Sequence, residues 1–100
     1  MSARINIPRD QVATFCRRNH IRRLALFGSV LRDDFTEDSD IDILVELEPN
    51  HPVGLLGLAG MEIELSQILG RHAEIHTVPG LNPHFRDEVL QVAEVQYEQA

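Results

Sequence analysis

Two aspartates separated by one residue are the side chains in this sequence that most clearly suggest chemistry. Asp40 and Asp42 flank Ile41 at the start of an apolar run that continues through residues 43–45. Because successive side chains of a strand point to opposite faces, the two carboxylates would share one face. At a separation of about 4 Å they would repel by roughly 4 kcal/mol at an effective dielectric constant near 20. Such a pair suits a hard divalent cation such as Mg²⁺, which is usually completed by water and substrate phosphates.

A Gly-Ser pair upstream of the aspartates indicates where a phosphate would bind. Gly28 and Ser29 follow an apolar segment, residues 24–27, that predicts the end of a strand. Glycine lets the backbone approach an anion, and a short helix from Ser29 would direct free N–H groups and the positive end of its dipole at it. The phosphate side and the carboxylate side fit one ligand, a metal-bound nucleoside triphosphate. Without the upstream Gly-Ser pair, Asp40 and Asp42 would be explained equally well as exposed residues at a strand entry.

Residues 26–47 resemble the polymerase-β-type nucleotidyltransferase superfamily, in particular its minimal nucleotidyltransferases of antitoxin type. The superfamily motif begins with an apolar residue and a glycine, followed by either serine or glycine. After a spacer of about ten residues come an aspartate, an apolar residue and a second acidic residue, either Asp or Glu. The motif lies on a strand–helix–strand unit. Residues 27–29 (Phe-Gly-Ser) and 40–42 (Asp-Ile-Asp) satisfy this motif. Arg32, on the predicted short helix, adds the basic residue of the Gly-Ser-x-x-Arg form of the minimal members.

The resemblance implies roles for six residues. A third carboxylate lies on a later strand in the superfamily, and Glu74 is the matching position. Nucleotide binding is expected from Gly28, Ser29 and Arg32. The catalytic carboxylates, which would hold two Mg²⁺ ions, are expected to be Asp40, Asp42 and Glu74. Glu74 would also accept the proton of the attacking hydroxyl.

The resemblance also implies the fold, the activity and the partner. We expect one α/β (α+β) domain over residues 1–100, with a motif core at 24–77 and a small mixed sheet, of the polymerase-β-like palm type, covered by helices. The expected reaction transfers AMP from ATP to a hydroxyl, a tyrosine of a HEPN-domain ribonuclease toxin. The chain would then be the antitoxin of a toxin–antitoxin pair, in a hetero-oligomer with the toxin.

Hydrophobic periodicity predicts the elements that position these residues. Helices are expected at 8–19, 53–69 and 83–98, and strands at Ile21–Phe27, at 71–77 and from about Asp40. Residues expected to face the core from the second helix are Leu55, Leu58, Met61 or Glu62, Leu65 and Leu69, whereas Glu62 and Glu64 are better placed facing water. Residues expected to face the core from the last helix are Phe85, Val89, Leu90, Val92 or Ala93, and Tyr97. An acidic turn is predicted for Asp33, Asp34, Glu37 and Asp38.

Composition excludes several classes of protein. With 100 residues the chain is long enough for one core but too short for a separate substrate domain. A formal net charge of −7, with no lysine, argues against charge-driven nucleic-acid binding. No apolar run approaches a membrane span, and the N-terminus lacks the apolar segment of a signal peptide. The single cysteine, Cys16, is expected to be a core residue of a cytoplasmic protein.

Two further groups of residues have alternative interpretations. The arginines around the end of the first helix are Arg17, Arg18, Arg22 and Arg23. They fit a solvated face that compensates the helix C-terminus, or a patch for an acidic partner or the triphosphate. On the third strand, His72, Glu74 and His76 share a face, where a transition-metal site is the alternative to Glu74 joining Asp40 and Asp42.

Two other functions remain open from the residues alone. The domain could neutralise its toxin by covering it, with a vestigial metal site, and it would then be a binding module. It could also be a stand-alone transferase acting on a small hydroxyl compound, which would need a homodimer to complete the wall of the site. A domain this short leaves little room to hold a small acceptor, and for this reason a partner protein is the simplest acceptor.

Overall fold

The computed structural model describes residues 5–32, 35, 36 and 38–99, and these form one sheet with three α-helices. The helices are α1 (Arg9–Arg18), α2 (Leu55–Leu69) and α3 (Pro83–Val92), and the strands are β1 (Ile21–Phe27), β2 (Ile41–Leu47), β3 (Ala73–Thr77) and β4 (Glu94–Glu98). Most predicted boundaries agree within two residues. In the predicted acidic turn, Asp33, Asp34 and Glu37 lie outside the described residues, and Asp38 is exposed. No helix in the described ranges is both long enough and apolar enough to cross a membrane.

The sheet is mixed and has the strand order β3-β2-β1-β4. β1 pairs antiparallel with β2 on one side and with β4 on the other, whereas β2 and β3 are parallel. α2 makes the connection between these parallel strands, as parallel pairing requires a crossover. The predicted α/β class with a small mixed sheet is therefore confirmed.

α1 and α2 pack on one face of the sheet and enclose the core. Alternate residues of β2 face these helices, so Ile41, Ile43 and Val45 are fully buried. The buried residues of the two helices are Val12, Phe15, Cys16, Met61 and Leu65. Cys16 is a core residue, as predicted, and burial raises the pKa of its thiol to about 12.

The predicted last helix is wrong over its final third. α3 ends at Val92, Ala93 has extended backbone (ψ 136°), and residues 94–98 form β4. The segment Glu-Val-Gln-Tyr-Glu alternates polar and apolar residues, which suits a strand. β1 offers it an edge, and Arg23 pairs with Glu98 at 2.8 Å. Long-range strand pairing therefore overrides the helical pattern of the residues before it.

Several apolar residues predicted to face the core are exposed. α3 has no buried residue, and Phe85, Leu90 and Val92 are 58%, 41% and 57% exposed. Leu55 at the start of α2 is 86% exposed. Helical spacing shows which residues share a face, but it does not show whether another element covers that face. Tyr97 does pack against the core, although from β4.

Glu62 is partly buried and bonds to β3, whereas the prediction placed it facing water. Its carboxylate accepts a hydrogen bond from the backbone N–H of Ile75 at 2.7 Å, and Ser66 Oγ accepts one from Ala73 at 2.9 Å. Since β3 is an edge strand, α2 supplies the acceptors that a further strand would otherwise supply. Spacing along α2 could not reveal this because the donors lie on another element.

Three of the four arginines form ion pairs within the chain. Arg22 and Arg23 both contact Glu46, at 3.1 and 3.2 Å, and Arg18 contacts Glu64. These pairs support the interpretation of a solvated, charge-compensated face. They also place Glu64 in an ion pair at the surface.

Replacing the two phenylalanines by alanine would test the corrected core. Phe15→Ala should lower the free energy of unfolding by about 3–5 kcal/mol, because it empties a fully buried position. The matched variant Phe85→Ala should change it by about 0.5 kcal/mol or less, because that ring is mostly exposed. Urea denaturation followed by circular dichroism measures both. Equal losses would mean that α3 packs against the core.

Candidate functional site

The pairing of β1 with β2 brings the Gly-Ser turn against the second aspartate. Phe27, the last residue of β1, pairs with Asp42. Gly28 follows with a left-handed backbone (φ 76°), and a Cβ on it would lie 2.3 Å from Asp42 Oδ2. Glycine is favoured here by its backbone angle, and a Cβ at this position would have to displace the Asp42 carboxylate.

The short helix predicted after the Gly-Ser turn is a 3₁₀ helix that begins at Gly28 itself. A single 3₁₀ helix spans Gly28–Leu31, and its last two residues, Val30 and Leu31, are buried and fix it to the core. Arg32 follows this helix in extended conformation, so its predicted place on the helix is wrong. A helix this short has little dipole, and any phosphate here would depend on nearby N–H groups and the charge of Arg32.

A cleft of about 500 Å³ separates the Gly-Ser turn from α3. It is lined by Gly28, Leu31, Arg32, Glu88, Gln91 and Val92. Two of the predicted nucleotide-binding residues therefore line one cavity. Its other wall comes from α3, whose contribution the motif did not predict.

The parallel pairing of β2 with β3 places Asp42 next to Glu74. His76, two residues further on the same face, completes a group whose candidate ligand atoms all lie within 4.8 Å of one another. Opposite ligands at about 2.1 Å from one ion are roughly 4.2 Å apart, so this group can share a divalent ion with small adjustments. Glu74 is exposed, whereas Asp42 and His76 are partly buried.

His76 contacts Asp42 and is a counter-charge to it when the imidazole is protonated. Its Nε2 lies 3.4 Å from Asp42 Oδ1, and its ring packs edge-on against Phe27 with centroids 5.2 Å apart. The contact with Asp42 raises the pKa of His76 above 6.5, burial opposes the rise, and the negative charges of Asp42, Glu74 and Glu62 add to it. The motif missed this residue, and only period-two alternation along β3 pointed to it.

Asp40 lies outside that group of three ligands. It precedes β2 and is exposed, and its Oδ1 lies 3.2 Å from Nδ1 of His72. The backbone reinforces this contact, because the N–H of Ile41 donates to the carbonyl of His72. The three residues of the alternative transition-metal site are thus divided, with His72 beside Asp40 and the other two beside Asp42.

Comparison with known proteins agrees with this geometry. The sequence profile of the family described as “Nucleotidyltransferase domain” matches residues 9–94. MJ0435 of Methanocaldococcus jannaschii, named as a candidate protein adenylyltransferase, is 32% identical over 89 residues, which cover 89% of this chain and 94% of that protein.

Solved structures share this fold, and two of them show the range of similarity. One, described as a candidate minimal nucleotidyltransferase, is 38% identical, with 85% of each chain covered and a TM-score of 0.70. The other is a toxin–antitoxin crystal structure with AMP-PNP, 16% identical, which covers 93% of this chain and 75% of that one with a TM-score of 0.75. At this identity the second likeness concerns the fold alone.

Alanine at two glycines with the same backbone angle would isolate the contact with Asp42. Gly28 and Gly70 have φ 76° and 75°, but no atom lies within 4 Å of a Cβ on Gly70. Both substitutions should cost about 1 kcal/mol for the left-handed backbone. Of the two variants, only Gly28→Ala should also displace Asp42 and thereby weaken the binding of Mn²⁺. Calorimetric titration with Mn²⁺ measures this difference. Equal Mn²⁺ affinities in the two variants would contradict a close approach at Gly28.

The raised pKa of His76 predicts how stability varies with pH in metal-free buffer. A raised pKa in the folded state gives stabilisation that is complete below about pH 6.5, the unfolded value, and is lost as pH rises through the folded value. The stability advantage of the wild type over His76→Gln should therefore shrink as the pH rises above about 6.5. Urea denaturation in EDTA measures this, with His84→Gln, an exposed position, as control. A constant difference across that range would contradict the pairing with Asp42.

Proposed function

The chain belongs to the nucleotidyltransferase domain family and is a nucleotidyltransferase, and on this basis we propose that it transfers AMP from ATP to a hydroxyl group of a partner protein. One observation carries the proposal. The Gly28 turn lies directly against Asp42, and Asp42 in turn lies beside Glu74. A phosphate on the turn would therefore lie next to the carboxylates that hold a metal ion.

The carboxylates on the two parallel strands are the proposed metal site. Asp42 and Glu74, with Asp40 two residues upstream on the same face, would hold Mg²⁺, and the nitrogen of His76 lies within the same group. Bound Mg²⁺ would stabilise the entering and leaving oxygens of an in-line displacement. Asp42 is only partly exposed, so water competes less for its oxygens than for those of Asp40.

The remaining residues of the motif handle the phosphates and the proton. Gly28 and Ser29 bind the β- and γ-phosphates, since no side chain at position 28 blocks the approach. Arg32 lines the same cleft and adds positive charge beside the pyrophosphate leaving group. Glu74 is exposed at the end of the group and receives the proton of the acceptor hydroxyl, which needs access from outside.

A tyrosine of a HEPN-domain ribonuclease toxin is the proposed acceptor. The exposed position of Glu74 suits an acceptor carried on the surface of another protein. A relative of similar length is named as a candidate protein adenylyltransferase, and a structure with this fold is a toxin–antitoxin with AMP-PNP. This chain would therefore be the antitoxin, and modification of the toxin would silence it.

Transfer of label from ATP tests the proposal directly. ATP labelled at the α-phosphate, with Mg²⁺, should label the protein encoded beside this one. Asp40→Asn/Asp42→Asn should lower the labelling at least about a hundredfold, because it removes ligands of the metal. The control Asp10→Asn/Asp87→Asn removes the same charge from exposed positions on α1 and α3 and should label normally.

Each result has a distinct meaning. No label, with the partner still bound and inhibited, would identify a binding antitoxin in place of an enzyme. Label on a small hydroxyl compound alone would identify a stand-alone transferase. Label that persists in Asp40→Asn/Asp42→Asn would remove these aspartates from the reaction.

A further inference from the structure

A second group of possible metal ligands lies at the end of the sheet remote from Asp42. His20 precedes β1, Glu48 follows β2, and His51 lies in the next loop. Antiparallel pairing brings the start of β1 beside the end of β2, where Ile21 pairs with Leu47. The candidate ligand atoms of the three residues all lie within 4.8 Å of one another. At about 3.3 Å per residue along β2, this His-Glu-His cluster is roughly 20 Å from Asp42.

The backbone holds the His-Glu-His cluster in place. The N–H of Glu48 donates to the carbonyl of His20 at 2.8 Å, and the N–H of His51 donates to that of Glu48 at 3.2 Å. His20 itself is left-handed (φ 56°), and so is Asn50 (φ 70°), which turns the chain before His51. Such angles are uncommon outside glycine, although histidine and asparagine adopt them more often than most residues, and they set the two turns that lie beside the cluster.

Side-chain contacts hold Glu48 and the two imidazole rings next to one another. Oε2 of Glu48 accepts a hydrogen bond from Gln99 at 2.9 Å, which leaves Oε1 facing His20 Nδ1 at 3.8 Å. Carboxylates that bind metals are commonly fixed by a second hydrogen bond of this kind. The two imidazole rings are stacked, with centroids 3.9 Å apart and planes 6° apart. A neutral imidazole offers one ring nitrogen as an acceptor, which is the form that binds metals.

We propose that His20, Glu48 and His51 bind a divalent transition-metal ion of the Zn²⁺ class. Two imidazoles and one carboxylate are a donor set that zinc accepts, with a fourth position open to water. Mg²⁺ is a poor match because it prefers oxygen ligands. Because the two rings are parallel, one of them must rotate before both imidazoles can bind the same ion. The ring that rotates is His51, which is exposed in its loop. The ion ties together the turn before β1 and the loop after β2.

Zinc titration by calorimetry tests this site separately from the nucleotidyltransferase reaction. In the Asp42→Asn/Glu74→Gln background, which disables the other cluster, we expect one Zn²⁺ ion per chain and no heat with Mg²⁺. His20→Asn should lower the affinity at least tenfold and keep the fold, because asparagine tolerates a left-handed backbone. His51→Gln should have the same effect. The exposed control His84→Gln should bind as the background does.

Histidine ring signals in NMR spectra give an independent readout. One equivalent of Zn²⁺ should shift the signals of His20 and His51 and leave those of His84 in place. Failure of the background chain to bind Zn²⁺ would overturn the proposal, and so would unchanged affinity in both His20→Asn and His51→Gln. The cluster would then be a stacked pair of histidines held by hydrogen bonds alone.

Discussion

The close approach of the Gly28 backbone to the Asp42 carboxylate is the constraint on which the candidate site depends. It exists because β1 and β2 pair in the register that sets Phe27 opposite Asp42. A shift of this register by one residue would exchange the two faces of β2, and the side chain of Asp42 would then point towards the core. The register is secured from the other face, where the alternate residues Ile41 and Ile43 are fully buried. Packing of these residues in the core therefore determines the position of Asp42 on the opposite face of the sheet.

Electrostatic balance is the second requirement of this face. Asp42 and Glu74 are adjacent on parallel strands, and two such carboxylates repel each other. In the described residues, each aspartate of the motif has an imidazole beside it, His72 for Asp40 and His76 for Asp42. Protonation of His76, whose pKa is raised, would offset part of the negative charge in the protein without metal. A divalent ion bound at this face would take over that role.

Local sequence predicted the elements of the motif well, and distant contacts explain what it missed. The end of β1 follows from the apolar run at residues 24–27, and the positions of Gly28 and Asp42 follow from a motif whose residues lie within one strand–turn–strand unit. β4 could not be found in this way, because residues 94–98 become a strand only where β1 offers an edge. Exposure of Phe85 and the hydrogen bond of Glu62 likewise depend on which element lies opposite. The place of His76 required the register between β2 and β3, which one sequence does not provide.

The acceptors that α2 offers to β3 also limit how the sheet can meet other chains. Glu62 and Ser66 occupy the outward N–H groups of Ile75 and Ala73. An extended peptide that tried to add itself as a fifth strand there would have to displace both side chains first. This end of the sheet is thereby protected from edge-to-edge aggregation. Addition of a strand at this edge is therefore an unfavourable way for another chain to approach Glu74, which lies between Ala73 and Ile75 on β3.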